Sequence, residues 1–264
     1  FLGNLPNKSS DVFYLADSVT VYHLQDASNW ETAFGSTPVA RMPFTYSTNP
    51  DMTVSIIGYT GSGGAVIIPP TLEGKPVTAI REWAFADRPD LTSVTIPASV
   101  TRIEHVAFRH CTGLTSITIP DGVACIEDCV FFGCYGLTSI ILPGSCFSIG
   151  EEAFSKCYNL SSVSLPDSIT FIKDRAFYDC ASLNEIILPA NLSRIGYGVF
   201  GGCSSLRSLT LLSDLSAFSA DWVFAGGTSV NLTSVVIGDS VTCIGDEAFT
   251  KCDYLSSVTI GSRV

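Results

Sequence analysis

The chain has 264 residues, 46% of them apolar and only 15% charged, which excludes a disordered chain and provides for a sizeable core. Fourteen Lys and Arg stand against 25 Asp and Glu, a formal charge of −11, so neither nucleic acid nor an anionic lipid surface fits as a partner. No apolar run approaches the roughly 18 residues that a spanning helix needs, so no membrane insertion is expected within this segment.

In chain order, residues 1–42 lie outside any regular pattern. Residues 43–52, with Pro43, Asn49 and Pro50, read as a linker. A strict period then takes over. Leucines fall at Leu91, Leu114, Leu137, Leu160, Leu183 and Leu206, 23 residues apart, then at Leu232 and Leu255. Phe85, Phe108, Phe131, Phe154, Phe177 and Phe200 keep the same step, as do Ile80, Ile103, Ile126, Ile149, Ile172 and Ile195. Three rows in phase over so many residues define an internal repeat.

Each unit opens on a short alternating segment such as Leu91-Thr92-Ser93-Val94-Thr95-Ile96-Pro97. Leu91, Val94 and Ile96 should point inward and Thr92, Ser93 and Thr95 outward, as in a strand stopped by its terminal proline. A second short strand is expected over Val100 to Ile103. A tight turn or single helical turn should follow, as in Ile149-Gly150-Glu151-Glu152-Ala153-Phe154. One unit cannot bury its apolar face alone, so neighbours must stack. The expected fold is a strand-rich, leucine-rich-repeat solenoid of the α/β class. It is a right-handed curved stack of about eight 23-residue units with short helical or 3-10 turns, on the order of 35–40 Å long at about 4.8 Å per unit.

Units such as Leu114 to Gly136, LTSITIPDGVACIEDCVFFGCYG, resemble the BspA-like, treponemal-type leucine-rich repeat of bacterial cell-surface proteins. Tyr59 to Gly64, Ile68-Pro69-Pro70 and Gly74 to Ile80 resemble the half-formed first repeat of that family. The likeness extends over residues 53–264, where the pattern breaks off at Val264 and reads as truncated. Phe1 to Pro6, Val21 to Leu24, Trp30 and Phe34 to Pro38 resemble the hairpin that closes such arrays. Residues 1–42 are therefore expected to be a hairpin-like cap ending an upstream repeat block.

Ten cysteines invite a disulfide framework or a metal site. Six of them (Cys111, Cys134, Cys157, Cys180, Cys203 and Cys252) stand three residues after the repeat phenylalanine, with Arg88 in the matching place of the first full unit. They read as a reduced ladder of small buried hydrophobes. Cys146 takes a core slot, whereas Cys125 and Cys243 should face solvent, and Cys129 lies on a third face. Zinc needs four converging ligands, which this spacing does not supply. The row Glu82, His105, Asp128, Glu151, Asp174 and Asp246, three residues before each phenylalanine, reads as capping of the helical turn and not as a calcium ladder.

No nucleophile elbow, zinc-protease helix, phosphate-binding loop or EF-hand is present, so neither catalysis nor a cofactor or metal is expected. The candidate ligand-contacting residues are the outward positions of the sheet: Thr115, Ser116, Thr118, Thr138, Ser139, Ile141, Ser161, Ser162, Ser164, Asn184, Glu185 and Arg207. Between Leu206 and Leu232 the step lengthens to 26, and Asp221 and Trp222 in that irregular loop join the list. The resemblance implies a non-catalytic interaction or adhesion module of a secreted or cell-surface protein, binding a protein or host-surface ligand, or associating with itself. The alternative is a structural spacer that positions other domains.

Overall fold

The computed structural model describes the backbones of residues 21–23 and 39–41. It also describes residues 43–213, 223–225 and 231–264, apart from 243, 245–247 and 250–251. Strands β1 (Val21–His23) and β2 (Val39–Arg41) pair in parallel. The expected cap over 1–42 lies otherwise outside the described residues.

Residues 43–52, expected as a linker, instead contribute strand β3 (Phe44–Thr48), which forms an antiparallel hairpin with β4 (Val54–Tyr59). Asn49 and Pro50 belong to its turn, closed by Asn49 N–H on the Thr53 carbonyl at 2.8 Å and Met52 N–H on the Asn49 carbonyl at 3.0 Å. Phe44 is buried, so the hairpin covers the first end of the core. Three strands complete the lead-in: β5 (Gly64–Ile67), β6 (Thr71–Leu72) and β7 (Lys75–Ile80).

From there the units alternate a longer and a shorter strand. They are β8 (Leu91–Thr95) and β9 (Arg102–Ile103), β10 (Ser116–Thr118) and β11 (Cys125–Ile126), then β12 (Ser139–Ile141) and β13 (Ser148–Ile149). After β14 (Ser162–Ser164) and β15 (Phe171–Ile172) come β16 (Glu185–Leu188) and β17 (Arg194–Ile195). The last described strands are β18 (Ser208–Leu211), β19 (Ser234–Ile237) and β20 (Ser257–Ile260).

The longer strands stack in parallel as β5-β8-β10, β12-β14 and β16-β18-β19-β20, and the shorter ones as β11-β13-β15-β17. The 26-residue step leaves this register intact, with Ser208 opposite Ser234 and Leu211 opposite Ile237. The three extra residues therefore fall between β18 and β19 in the sequence. Leu91, Val94 and Ile96 are buried, as their alternation requires.

The core is a set of columns. Phe85, Phe108, Phe131, Phe154, Phe177 and Phe200 stack face to face, with ring centroids 5.0 to 5.7 Å apart and planes within 13°. Tyr59 heads the column, 5.4 Å from Phe85. The column tilts at Phe224, which lies 6.1 Å from Phe200 at 40°, just beyond the irregular loop. A second column is the cysteine ladder. The thiols of Cys111, Cys134, Cys157, Cys180 and Cys203 donate to the carbonyls of Phe85, Phe108, Phe131, Phe154 and Phe177 at 3.0 to 3.2 Å. Arg88 occupies the same slot in the first full unit and meets the same need, donating to the Tyr59 carbonyl at 2.8 Å. Its guanidinium also pairs with Asp90, which raises its pKa.

Of the two forms expected after the shorter strands, a tight turn or a single helical turn, the chain takes laddered tight turns. Ala107, Arg109 and Cys111 donate within their own unit, three residues back. Val106, Phe108 and His110 instead donate to Asp128, Val130 and Phe132 of the next unit, at 2.7 to 3.1 Å. A helix would direct all of these N–H groups four residues back. The backbone turns left-handed at Val106 (φ 52°) and His110 (φ 55°), and at the corresponding Glu152, Lys156, Arg175 and Asp179. That alternation is what aims every second N–H at the neighbouring unit.

The acidic caps are likewise between units. Asp128 accepts from Glu151 N–H at 2.8 Å and Asp174 from Tyr197 N–H at 2.9 Å. Glu104 and Glu127, one residue earlier in their units, reach the other way, to Glu82 N–H (3.2 Å) and His105 N–H (3.0 Å). Each aspartate lies against a glycine of the next unit. A Cβ on Gly150 would sit 2.5 Å from the Glu127 carbonyl carbon and 2.6 Å from both the Asp128 nitrogen and Oδ1. Backbone atoms cannot yield there. Gly150→Ala should therefore cost about 1–3 kcal/mol in urea titration, whereas Gly144→Ala, where a Cβ meets nothing within 4 Å, should sit close to the parent.

Candidate functional site

The strands place the expected contact residues on one face. Ser93 pairs with Ser116 and Thr95 with Thr118; Ser139 pairs with Ser162 and Ile141 with Ser164. Thr115, Ser116, Thr118, Thr138, Ser139, Ile141, Ser162, Ser164, Asn184, Glu185 and Arg207 are exposed, and Ser161 is half-buried. Asp221 and Trp222 lie outside the described residues.

Hydrogen bonding divides these residues into two groups. Thr115 Oγ1 donates to the Thr92 carbonyl (3.1 Å), Thr138 Oγ1 to that of Thr115 (3.5 Å) and Ser161 Oγ to that of Thr138 (3.1 Å). Thr233 and Ser256 continue the row at 3.2 Å. These hydroxyls are used to tie one unit to the next. Arg207 is similarly engaged, its Nη1 donating to Ser204, Leu206 and Asn231 carbonyls. Ser116, Thr118, Ser139, Ser162, Ser164, Asn184 and Glu185 make no side-chain hydrogen bond among the described residues, so they, with the exposed apolar Ile141, are the groups available to a ligand.

The face is less uniformly polar than its serines and threonines suggest. Ile141 is 73% exposed and Ile187, opposite Thr210, is 55% exposed. Two aromatics stand at its margin. Tyr135 and Tyr158, each two residues ahead of a strand leucine, are about two-fifths exposed, with rings 5.0 Å apart at 32°. The outward strand positions hold no aromatic residue, and a census confined to them misses this pair. The signal was the row Thr112, Tyr135, Tyr158, Ala181, Ser204, in the same period as the leucines.

The cysteines supply no reactive group to this face. Burial pushes the thiols of Cys111, Cys157 and Cys203 up to about 12, and raises those of Cys134 and Cys180 well above the ordinary thiol value. Cys125 and Cys129 are half-buried, and burial raises both, Cys129 to about 11. Cys243 lies outside the described residues. Among the described residues no group of three His, Cys, Asp or Glu side chains gathers as a metal site, and no helix is long and apolar enough to cross a membrane.

Parallel strands repeating every 23 residues over stacked phenylalanine and leucine columns define a leucine-rich-repeat solenoid. Six copies of the BspA type leucine-rich repeat region match residues 78–207 and 220–264. The chain belongs to that family. The structure resembles the leucine-rich repeat protein of T. pallidum, with 34% identity over 70% of this chain and 89% of that one and a TM-score of 0.62. It also resembles a leucine-rich cell surface protein of Faecalibacterium prausnitzii A2-165, with 29% identity over 84% of this chain and 76% of that one and a TM-score of 0.54. The pneumococcal vaccine antigen PcpA shares the fold at 20% identity, covering 84% of this chain and 69% of its own, with a TM-score of 0.53. No curated protein matches the chain.

Proposed function

We propose that this chain is a non-catalytic protein-interaction module of a secreted or cell-surface bacterial protein, and that it binds along the sheet face. The observation that carries the reading is the division of that face. One hydroxyl row is spent on the ladder, while Ser116, Thr118, Ser139, Ile141, Ser162 and Ser164 stay exposed and uncommitted beside Tyr135 and Tyr158. Exposed tyrosine is a side chain that supplies interface anchors, and the hydroxyls of the sheet suit a solvated rim. The likeness to a leucine-rich cell surface protein supports a cell-surface setting.

A spacer that holds other domains apart is the second reading, favoured by the hydroxyl row tied into neighbouring carbonyls. A solid-phase screen at physiological salt, over extracellular-matrix proteins, mucins, glycans and the chain itself, separates the two. The interaction reading expects a saturable hit that bulky substitutions at Ser139 and Ser162 abolish. A blank from folded protein would leave the spacer.

A further inference from the structure

The turn segments carry a row of a different character, away from both strand ladders. Trp83, Arg109, Phe132 and Lys156 belong to four successive units. The Arg109 guanidinium lies 5.6 Å from the Trp83 ring centroid and 5.5 Å from that of Phe132, and the Lys156 ammonium lies 5.4 Å from Phe132 on its own account. Aromatic and cation thus alternate along the solenoid. The His110 ring, 5.4 Å from Phe132, flanks the row, with its Nδ1 3.1 Å from Asp87.

These two cations differ from their neighbours. Arg81, Arg102, Lys173 and Arg175 each have a carboxylate partner: Glu104, Glu127, Asp128 and Glu152 respectively. Arg109 and Lys156 have none within ion-pair distance and donate no side-chain hydrogen bond among the described residues. In a chain of net charge −11, Arg109 and Lys156, like Arg194 over the Phe171 ring further along, are held by aromatic faces and not by acids. Trp83 is 51% exposed and sits at φ 62°, in the place where a later unit has Gly198. Of the residues in that slot (Trp83, Val106, Cys129, Glu152, Arg175 and Gly198), only Trp83 is aromatic.

We propose that this row is a second binding site, for an acidic segment of a partner protein. Its carboxylates would seat on Arg109 and Lys156, and an apolar side chain would cover the open part of Trp83. The ring faces hold both cations in place before binding, and an unpaired guanidinium offers a carboxylate two parallel N–H donors. Tryptophan and arginine are the side chains that most often anchor interfaces. Two units separate the cations, about 10 Å at the spacing of parallel strands, which an extended peptide spans in about three residues. A long polyanion such as a sulfated glycan chain fits less well. Its many charges would face the acidic remainder of the molecule, with only two cations to offset them.

The test is fluorescence anisotropy of the intact chain with a labelled short peptide alternating glutamate and leucine. The same peptide with lysine for glutamate is the control. The acidic peptide should bind saturably, more weakly as salt rises, and Arg109→Gln with Lys156→Gln should weaken it about tenfold or more. Trp83→Ala should weaken it at unchanged salt dependence, and Arg109→Lys should retain part of the binding. Ile141→Arg, on the sheet face, should leave it intact, which keeps this site distinguishable from the one proposed above. Thermal melts confirm that each variant is folded. No saturable binding, equal binding of the lysine peptide, or full binding by the double variant would overturn the proposal. So would preference for a sulfated or sialylated oligosaccharide lost in the double variant, which would reassign the row to glycans.

Discussion

Between pH 9 and pH 12 the protein should unfold cooperatively, with reductant present throughout. The cause is the cysteine ladder. The buried thiols of Cys111, Cys157 and Cys203 hold their protons up to about pH 12 in the folded state, whereas an exposed thiol in the unfolded chain loses its proton near 8.5–9. In that window the unfolded state binds fewer protons, so stability falls as pH rises; below the unfolded value the contribution is fully present. Each thiol removes about 1.4 kcal/mol per pH unit. Cys111, Cys157 and Cys203 together give a slope on the order of 4 kcal/mol per unit, enough to exhaust most of a typical stability of about 5–15 kcal/mol within about three units, and Cys134 and Cys180, raised by the same burial, act in the same direction. Far-UV circular dichroism against pH reads the transition. Cys157→Ala with Cys180→Ala should flatten the slope and move the midpoint upward. A spectrum unchanged at pH 12 would show that the thiols do not carry this linkage.

The second large effect is at Phe154. Its ring is fully buried between Phe131, 5.4 Å away, and Phe177, 5.2 Å away and within 2° of parallel. Phe154→Ala should cost about 3–5 kcal/mol from lost burial and the cavity left behind. Because each unit touches only its neighbours, the loss falls on the coupling between the two halves of the array. Urea unfolding should shift to lower midpoint and broaden or split into two steps. Phe147→Ala, at a half-exposed ring in the same region, should change stability by no more than about 0.5 kcal/mol. Equal midpoints for the two variants would contradict the column.

The columns were legible because a row in strict period has one structural explanation, and leucine, phenylalanine, isoleucine and cysteine each kept it. The linker expectation failed at 43–52 because Pro43, Asn49 and Pro50 punctuate a hairpin as readily as a boundary. Only the tertiary structure shows Phe44 meeting Tyr59, their rings 5.3 Å apart. The left-handed backbone of the tight turns escaped for a different reason. Trp83, Val106, Cys129 and Glu152 occupy left-handed positions, and nothing in those residue types announces such a backbone. Gly133, Gly198 and Gly202 were the one local signal. Asp128 and Asp174 were recognisable as caps, but the N–H groups they serve belong to the next unit. The pairing of Asp128 with Gly150 and Asp174 with Gly196 carried that information across units.

The sheet face itself was legible residue by residue, since alternation assigns its outward positions. What alternation does not show is which hydroxyls are already bonded. That depends on the carbonyls one unit away, and it narrows the candidate surface to the unbonded residues from Ser116 to Glu185 with the tyrosine pair beside it.

The most direct measurement is surface plasmon resonance of the parent chain and an Ile141→Arg, Ser162→Tyr variant against the partner found by the screen. The account predicts that the variant melts like the parent and loses binding by about a hundredfold or more, as expected when the centre of an interface is blocked. Undiminished affinity in a folded variant would contradict it and remove the sheet face as the binding surface.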